Sequence, residues 1–305
     1  MILCCGEALI DMLPRRVESG EIGFMPVPGG AIYNTAIVLG RLGEEAGFFS
    51  SVSTDMFGEQ LIEFLHHSNV QSDTCVRIPN PTTLAFVKLT NGQAQYSFFD
   101  ENSALRSLEQ NMLPTLPEMV STLHFGAISL VSGPCGSAYE AFMAQNEDRV
   151  ISLDPNIRES FIKNEEQHRS RIERMVAMSD IVKVSDEDLA WISSGANVEE
   201  KIASWLKGRA KIVLLTKDAE GAIAYTRNGR IQQPAMKVEV VDSIGAGDTF
   251  NAGFLSGLAR QGLLSKNRLS SITMEELRPA LELAAKVAAK TVSRAGANPP
   301  WKSEL

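Results

Sequence analysis

The sequence is poor in cysteine and in positive charge. It has four cysteines among 305 residues, and their spacing matches no common metal-ligand pattern. We interpret Cys4, Cys5, Cys75 and Cys135 as small core residues of a protein in a reducing cytoplasm. Aspartate and glutamate exceed lysine and arginine by 37 to 29, which gives a net charge of −8. This acidic balance disfavours nucleic acids and anionic membranes as partners, so we expect a small-molecule ligand.

The sequence also lacks a long uninterrupted apolar run. Residues 119–139 carry no Asp, Glu, Lys or Arg, but histidine, serine, glycine and proline interrupt them, which predicts a strand and a turn rather than a membrane span. The first residues, MILCCGEALIDMLP, have no basic region and reach Glu7 and Asp11 early, so we expect no export signal. The four histidines form no recognisable catalytic or metal-binding pattern and receive no role.

Apolar runs alternate with segments of helical periodicity along the chain. This alternation is typical of βαβ units, in which helices cover both faces of a mainly parallel sheet. The predicted buried strands are MILCCGEAL, EAGFFSSV, TLHFGAISL, RVISLDP, DIVKVS and KIVLLT. One predicted helix ends at Gly43, and another begins after an N-cap at Asp55. Because no internal repeat or low-complexity linker divides the chain, we expect a single α/β domain over residues 1–305.

One region departs from the alternation of strands and helices. The segment TTLAFVKLTNGQAQYSFF predicts two strands joined by Asn91-Gly92, a dipeptide that favours a type I′ turn. Together with an extended stretch at about residues 12–27, the segment at about 82–102 would form a small sheet inserted into the domain. Such a sheet predicts a lid or an oligomer contact, and a surface hairpin without a role is the alternative.

The segment VVDSIGAGDTFNAGF combines a bare turn with an acid near a predicted helix start at Thr249. Gly245 and Gly247 leave the amides of residues 245–248 free to converge on an anion, for which phosphate is the natural candidate. A carboxylate repels phosphate, so Asp248 is expected to act as a general base on a nearby hydroxyl. The alternative from this segment alone is that Asp248 caps the helix.

A second glycine pair opens the segment PVPGGAIYNTAIVLGRLG. Gly29 and Gly30 supply bare backbone, and Asn34 supplies an amide in the first turns of the predicted helix. Asp11, after the first strand, carries a carboxylate that accepts hydrogen bonds from hydroxyl groups. This combination suits a polyhydroxylated ligand, although a structural role for each residue alone remains open.

The two segments together resemble a known family. DSIGAGDTFNAGF resembles the D-T-x-G-A-G-D-x-F signature of the ribokinase-like (PfkB) carbohydrate kinases, with Ser243 in place of threonine. GGAIYNTAIVLGRLG resembles the G-G-x-x-x-N-x-A helix of the same family, and DPNIR is similar to a run in its fructokinase and 2-keto-3-deoxygluconate kinase branches. The resemblance extends over about residues 1–300, and both long motifs occur in the family's order.

The resemblance implies a ribokinase-like fold, which is a doubly wound, mainly parallel α/β sheet with helices on both faces and a small β-sheet lid. It also implies ATP as phosphoryl donor, Mg²⁺ as cofactor, K⁺ as a further candidate, and a homodimer formed through the lid. The implied site residues follow from position. They are Asp248 as catalytic base; Gly245, Ala246 and Gly247 as anion hole; Asp11, Gly29, Gly30, Asn34, Phe98 and Arg158 for the sugar; Thr216, Gly221, Gly245 and Gly247 for the nucleotide; Asp188 for magnesium, indirectly; and Asp242 for a monovalent cation.

Four further positions depart from the family's patterns. Ser185 and Asp188 stand where many members have N-x-x-E, and Asp218 replaces the middle glycine of T-x-G-x-x-G. Asp100 stands where the 2-keto-3-deoxygluconate kinases have an arginine in the lid motif F-Y-Y-R-x-x-S-A. Because an acid at this point disfavours an anionic acceptor, we expect a neutral sugar, with fructose first.

The expected reaction is transfer of the γ-phosphoryl group of ATP to a primary hydroxyl of that sugar. Phe98 and Phe99 are expected to present one aromatic face to it, with a lid-hinge core as the alternative. Kinases of 2-keto-3-deoxygluconate, ribose or nucleosides and a non-catalytic sugar-sensing module remain alternative functions. A Rossmann dehydrogenase is disfavoured because the G-x-G at residues 245–247 comes late and Phe250 follows where a third glycine is needed.

Overall fold

Strands and helices alternate over residues 1–90 and 93–305, which the computed structural model describes. The strands are β1 (Ile2–Cys5), β2 (Leu9–Arg16), β3 (Ile22–Gly29), β4 (Ala46–Phe49), β5 (Ser51–Ser53), β6 (Val70–Gln71), β7 (Val76–Ile78), β8 (Leu84–Thr90), β9 (Gln93–Phe99), β10 (Thr122–Gly126), β11 (Val150–Asp154), β12 (Ile181–Ser185), β13 (Ile212–Thr216), β14 (Ala222–Thr226) and β15 (Gly229–Gln233). The α-helices are α1 (Ala31–Arg41), α2 (Met56–His67), α3 (Cys135–Gln145), α4 (Glu165–Ala177), α5 (Asp186–Ser193), α6 (Val198–Lys207), α7 (Ala246–Arg260), α8 (Lys266–Ser270) and α9 (Met274–Val292).

The large sheet has nine strands in the described part of the chain, in the order β15-β14-β13-β12-β11-β10-β1-β4-β6. The pairs from β6 to β13 are parallel, and β14 and β15 add an antiparallel edge. The predicted α/β class with a mainly parallel sheet is confirmed. Among the helices in the described residues, none has the length and apolar content needed to cross a membrane.

The two faces of the large sheet bury different side chains of the same strand. In β1, Cys4 packs in a cluster with residues of α1, α7 and α9, while Leu3 and Cys5 pack in a second cluster with residues of α3 and α4. Successive side chains of a strand point to opposite faces, so a strand covered on both sides is apolar throughout. The uninterrupted apolar runs of the sequence are therefore the central strands of a sheet with helices on both faces.

Two predicted strands each divide into two strands, and the predicted strand TLHFGAISL ends at Gly126, where a short 3₁₀ helix follows. MILCCGEAL divides into β1, which ends at Cys5 in the large sheet, and β2, which begins at Leu9 in a different sheet. The break includes Gly6, where an added Cβ would lie 2.5 Å from Cγ1 of Ile32. EAGFFSSV likewise divides into β4 and β5. A single run of apolar letters cannot distinguish one strand from two strands that enter separate sheets.

The predicted helix boundaries at Gly43 and Asp55 are confirmed. Gly43 has a φ of 83° just beyond α1, which is the left-handed conformation typical of a residue after a helix. Asp55 is the N-cap of α2, and its carboxylate accepts hydrogen bonds from the amides of Phe57 and Gly58.

The small sheet has the strand order β3-β2-β8-β9. Asp11 of β2 is in register with Ala85 of β8, which is in register with Phe98 of β9, so these three side chains share one face. Ala85 is fully buried, whereas the side chain of Phe99 is 63% exposed on the opposite face. The prediction that Phe98 and Phe99 share an aromatic face is therefore wrong, because adjacent strand residues alternate. The predicted Asn91-Gly92 turn lies outside the described residues.

Helix α7 is fixed in the core by close contact with α9. An added Cβ would lie 2.7 Å from Cα of Ala284 at Gly253, and 2.5 Å from Cα of Ala280 at Gly257. Small residues on both helices therefore allow the backbones to approach closely. This packing gives the amino terminus of α7 a rigid position above the large sheet.

Candidate active site

Polar groups collect at the carboxyl ends of the parallel strands. Asp154 ends β11 and is in register with Gly126 at the end of β10, and Glu7 follows β1. On the other side, Ser185 of β12 pairs with Thr216 of β13. The crevice outside the carboxyl ends of such strands is the usual ligand position in open α/β sheets. The amino termini of α1 and α7 lie together at this edge.

The amino terminus of α7 has the features of an anion site. The helix begins at Ala246, three residues before the predicted start, because its N-cap Gly245 adopts a φ of 76°. Among the residues that the structure describes, no side chain caps this helix. The positive end of the helix dipole and its first amides are thus left to a ligand, and phosphate is a suitable one.

Asp248 lies in the first turn of α7 and is 8% exposed. Its Oδ2 accepts a hydrogen bond of 3.0 Å from Nδ2 of Asn34, and Thr35 Oγ1 donates to its backbone oxygen over 3.5 Å. The helix-cap alternative for Asp248 is wrong, since the side chain makes no capping bond. Burial raises the pKa of Asp248 to about 6, against the opposing effect of the Asn34 hydrogen bond. A carboxylate in this position suits proton transfer near neutral pH.

The amino terminus of helix α1 is capped by a side chain from a distant segment of the chain. Its N-cap is Gly30, with a φ of 112° and no side chain, and an added Cβ there would lie 2.8 Å from the backbone oxygen of Glu7. Oε1 of Glu7 instead accepts from the amides of Ala31 at 2.7 Å and Ile32 at 3.3 Å. Burial raises the pKa of Glu7 to about 7. Glu7 thus stabilises the end of α1 while the backbone at Gly30 stays bare.

We expect Glu7→Ala to lower the free energy of unfolding by about 1–3 kcal/mol, because two buried amides lose their acceptor. Since Asn34 lies one turn into α1, KM for the sugar should rise as well. Glu7→Gln keeps an acceptor oxygen and should recover most of both properties. Thermal unfolding and sugar KM of the two variants check this expectation, and unchanged values in Glu7→Ala would contradict it.

The small sheet places further candidate sugar contacts beside α1. Asp11 lies directly against β3, where an added Cβ on Gly29 would lie 2.3 Å from its Oδ2. Burial raises the pKa of Asp11 to about 6. Phe98 shares the face of Asp11, and its ring lies 4.2 Å from the ring of Phe161, in the segment after β11. Phe161 was not identified from the sequence, and it joins the small sheet to the main domain.

Arg158 is exposed and lies between Asp154 and Phe161 along the chain. Its Nη1 donates to the backbone oxygen of Ile157, and its positive charge acts to lower the pKa of Asp248. The guanidinium is therefore held at the rim of the crevice, within electrostatic reach of Asp248.

A buried ion pair beneath α7 was also not identified from the sequence. Nζ of Lys183 lies 3.1 Å from Oδ2 of Asp154, and the two side chains are 5% and 3% exposed. Burial acts to lower the pKa of Lys183, but the charges of Asp154 and Asp188 outweigh it, so the pKa is raised and the amine stays charged. An added Cβ on Gly247 would lie 3.3 Å from this Nζ. The available signal was a lysine inside the otherwise apolar run IVKV at residues 181–184.

The predicted nucleotide and cation residues lie in four separate segments of the chain. Thr216 ends β13, and Gly221 adopts a φ of 98° with an added Cβ only 2.1 Å from Gln233 O, so this position requires glycine. The carboxylate of Asp188 accepts from the amides of Ser185 and Ile157. Asp242 accepts from the amides of Ile244 and Gly296, and so it joins the segment before α7 to the loop after α9.

These residues fall into three groups, and the hydrogen bond between Asn34 and Asp248 joins two of them. The amino terminus of α7, with the buried Lys183 beneath it, suits a phosphoryl group. The buried carboxylate of Asp248 lies in the first turn of the same helix. The amide of Asn34, the backbone at Gly29 and Gly30, and the carboxylate of Asp11 suit a polyol. No cluster of three or more potential protein ligands for a metal occurs in the described residues. The buried carboxylate of Asp188 offers oxygen atoms, the ligand type that Mg²⁺ and its water molecules accept.

Comparison with known proteins agrees with this chemistry. A model of the pfkB family carbohydrate kinases matches residues 1–304. A fructokinase from Rhizobium leguminosarum bv. trifolii is 52% identical over 279 residues, which is 91% of this chain and 86% of that protein. A fructokinase from Xylella fastidiosa, solved with bound ATP, has a TM-score of 0.89 at 31% identity and covers 97% of this chain and 93% of its own.

A second solved structure extends the comparison to bound sugar. A fructokinase double mutant from Vibrio cholerae O395, in a form with bound fructose, ADP and potassium ion, has a TM-score of 0.83 at 25% identity. It covers 97% of this chain and 93% of its own. The ribokinase-like fold inferred from two sequence motifs is thereby confirmed. The chain belongs to the pfkB family of carbohydrate kinases and is an ATP-dependent sugar kinase.

Proposed function

We propose that the enzyme transfers the γ-phosphoryl group of ATP to a primary hydroxyl of a neutral ketohexose, with fructose as preferred acceptor. The observation that carries this proposal is the 3.0 Å contact between Asn34 and Asp248, which joins the polyol-type site to the uncapped start of α7. Curated relatives from bacteria and plants are named fructokinases, which supports the choice of sugar.

The acceptor binds between α1 and the inner face of the small sheet. Asp11 and Asn34 bond to its hydroxyl groups, the backbone at Gly29 and Gly30 lets the sugar approach closely, and Arg158 closes the rim. Phe98 packs on the apolar side of the sugar ring. These contacts direct one primary hydroxyl toward Asp248, because that carboxylate already bonds to Asn34.

The phosphoryl group then passes from ATP to that hydroxyl. The hydroxyl oxygen attacks the γ-phosphorus, the bond to the β-phosphate oxygen breaks, and Asp248 takes the hydroxyl proton. The amides of residues 245–248 stabilise the charge that develops on the phosphoryl oxygens, and the buried amine of Lys183 adds a positive charge beneath Gly247. Asp188 would hold Mg²⁺ indirectly, and the bound ion would supply positive charge that shields the phosphates.

The nucleotide lies toward Thr216 and Gly221, on the far side of the α7 terminus. Asp242 ties together two loops near this terminus, and we propose that K⁺ binding in this region orders them. Four free cysteines agree with a reducing compartment, and we propose a cytoplasmic enzyme.

Product analysis tests the proposed reaction. Fructose, ATP and Mg²⁺ with the purified enzyme should give ADP and one new phosphomonoester signal in ³¹P NMR. Coupling to the two protons of a CH₂ group should split this signal into a triplet. A doublet would indicate a secondary hydroxyl, and release of inorganic phosphate alone would indicate hydrolysis; either result contradicts the proposal.

The outer face of the small sheet supports a homodimer. Phe24, Phe86 and Phe99 form a row across three strands, with edge-to-face ring contacts of 5.1 and 5.4 Å. Phe24 and Phe99 are 46% and 63% exposed, and Ile22 beside them is 64% exposed. We propose that a second copy of the chain covers this row, since contiguous exposed apolar surface favours association.

We expect Phe99→Asp to convert the dimer into a monomer, because formation of the interface would bury the charged carboxylate of the new aspartate. Light scattering after size-exclusion chromatography measures the mass. Val240→Asp, at an equally exposed apolar position of 64%, is the matched control and should leave the mass unchanged. A wild-type monomer, or a Phe99→Asp dimer, would refute the proposed interface.

A further inference from the structure

A cavity of about 290 Å³ lies between the small sheet and the main domain. Phe98 and Thr83 line it from the small-sheet side, and Ile128 and Phe161 line it from the main domain. Phe98 has the same orientation as Asp11 on the inner face of the sheet. Phe98 is thus the residue that this cavity shares with the proposed sugar site, and a substituent of an acceptor that packs on Phe98 would reach into the cavity.

The lining of this cavity contains an arginine with its own counter-ion. Nη1 of Arg106 lies 3.3 Å from Oδ2 of Asp100, and these side chains are 23% and 33% exposed. Lys163 also lines the cavity but is solvent-exposed. The guanidinium is the group of choice for binding a carboxylate, because its planar donors match both oxygens. Here an internal carboxylate occupies that role.

We propose that the Asp100–Arg106 pair determines acceptor specificity by acting as a charge filter for the sugar site. Asp100 neutralises Arg106, so a sugar acid gains little from the guanidinium and meets a second carboxylate beside it. A neutral sugar is not penalised by the pair. This inference rests on the proposed function, and it adds the residues that restrict its substrate class.

Hydrogen bonds that do not involve the carboxylate of Asp100 fix the backbone around Arg106. The amide of Ser103 donates to the backbone oxygen of Asp100, and the amide of Arg106 bonds to Ser103 Oγ. Nδ2 of Asn80 further donates to Ser107 Oγ. Asp100→Asn should therefore leave Arg106 in place while removing its counter-charge, which makes the variant a test of charge rather than of folding.

The test compares kcat/KM for fructose and for a sugar acid, 2-keto-3-deoxygluconate, by ADP release. For Asp100→Asn we expect the acid-to-fructose ratio to rise at least about 10-fold over wild type, because a partly buried guanidinium is freed for a carboxylate. Adding Arg106→Gln to this variant should remove the gain. Glu101→Gln, which neutralises the adjacent exposed acid outside the cavity lining, should leave the ratio as in wild type.

Two results would overturn the charge filter. One is an unchanged ratio in Asp100→Asn, and the other is a gain that persists after Arg106→Gln is added. Turnover of fructose by the wild-type enzyme tests the proposed function independently of this ratio. Wild-type activity with fructose together with an unchanged ratio in Asp100→Asn would refute the filter and leave the proposed reaction standing.

Discussion

Asp248→Asn should lower kcat with fructose at least about 100-fold, because the hydroxyl of the sugar loses the base that takes its proton. The substituted side chain has nearly the same shape and keeps an oxygen that accepts from Asn34, whose Nδ2 lies 3.0 Å from the carboxylate. The position of α1 and the sugar contacts should therefore persist. Fructose affinity, measured by calorimetry, should change by less than about 3-fold, so the loss is confined to turnover.

The wild-type pH profile should reflect Asp248 together with Asp11, whose pKa burial also raises to about 6. Burial raises the pKa of Asp248 to about 6, so the carboxylate becomes protonated as the pH falls through this value. A protonated carboxyl cannot act as a base, and kcat/KM for fructose should fall on the acid side of about pH 6. Glu239→Gln, which removes an exposed acid before α7, is the control and should match wild type. Near-normal turnover in Asp248→Asn would exclude the base assignment.

Lys183→Met should lower kcat at least about 100-fold, through loss of the positive charge beneath Gly247. The same change leaves Asp154 buried with a 3.5 Å hydrogen bond from Asn251 Nδ2 but without the ammonium group that balances its charge, and the free energy of unfolding should fall by about 3–5 kcal/mol. Because both effects reduce activity, the single variant does not separate them. The two side chains are 5% and 3% exposed, so solvent cannot replace the lost partner.

A double variant separates charge from stability. Lys183→Met combined with Asp154→Asn removes both charges of the pair and should restore much of the melting temperature. Turnover should stay at least about 100-fold below wild type, since the phosphoryl group still lacks the amine. Recovery of kcat together with the melting temperature would mean that Lys183 acts only through folding.

The sequence predicted those features that the residues of a single segment determine. Apolar runs and helical periodicity indicated the buried strands and the helices on both faces, and the order of two glycine-containing motifs indicated the family. Asn34 and Asp248 are 214 residues apart, and only the family resemblance indicated that they belong to one site; their hydrogen bond was visible only in the structure.

The missed features depend on contacts between distant segments. Glu7 caps a helix that starts 24 residues later, so no local capping pattern exists around Gly30. Lys183 lies in an apolar strand, where its charge is tolerated only because Asp154 comes from the neighbouring strand. Strand alternation places Phe98 and Phe99 on opposite faces, and this would have been predictable had the segment been treated strictly as a strand.

The acceptor specificity of the wild-type enzyme tests the account most directly. ADP release with Mg²⁺ and ATP should be followed for fructose, ribose, adenosine, fructose phosphates and 2-keto-3-deoxygluconate under identical conditions. We predict that fructose has a kcat/KM at least about 10-fold above every other acceptor. In the described cavity lining, Arg106 is already paired with Asp100, so the cavity offers no unpaired guanidinium to a sugar acid. Higher kcat/KM for the sugar acid, or no ADP release with any acceptor, would contradict it.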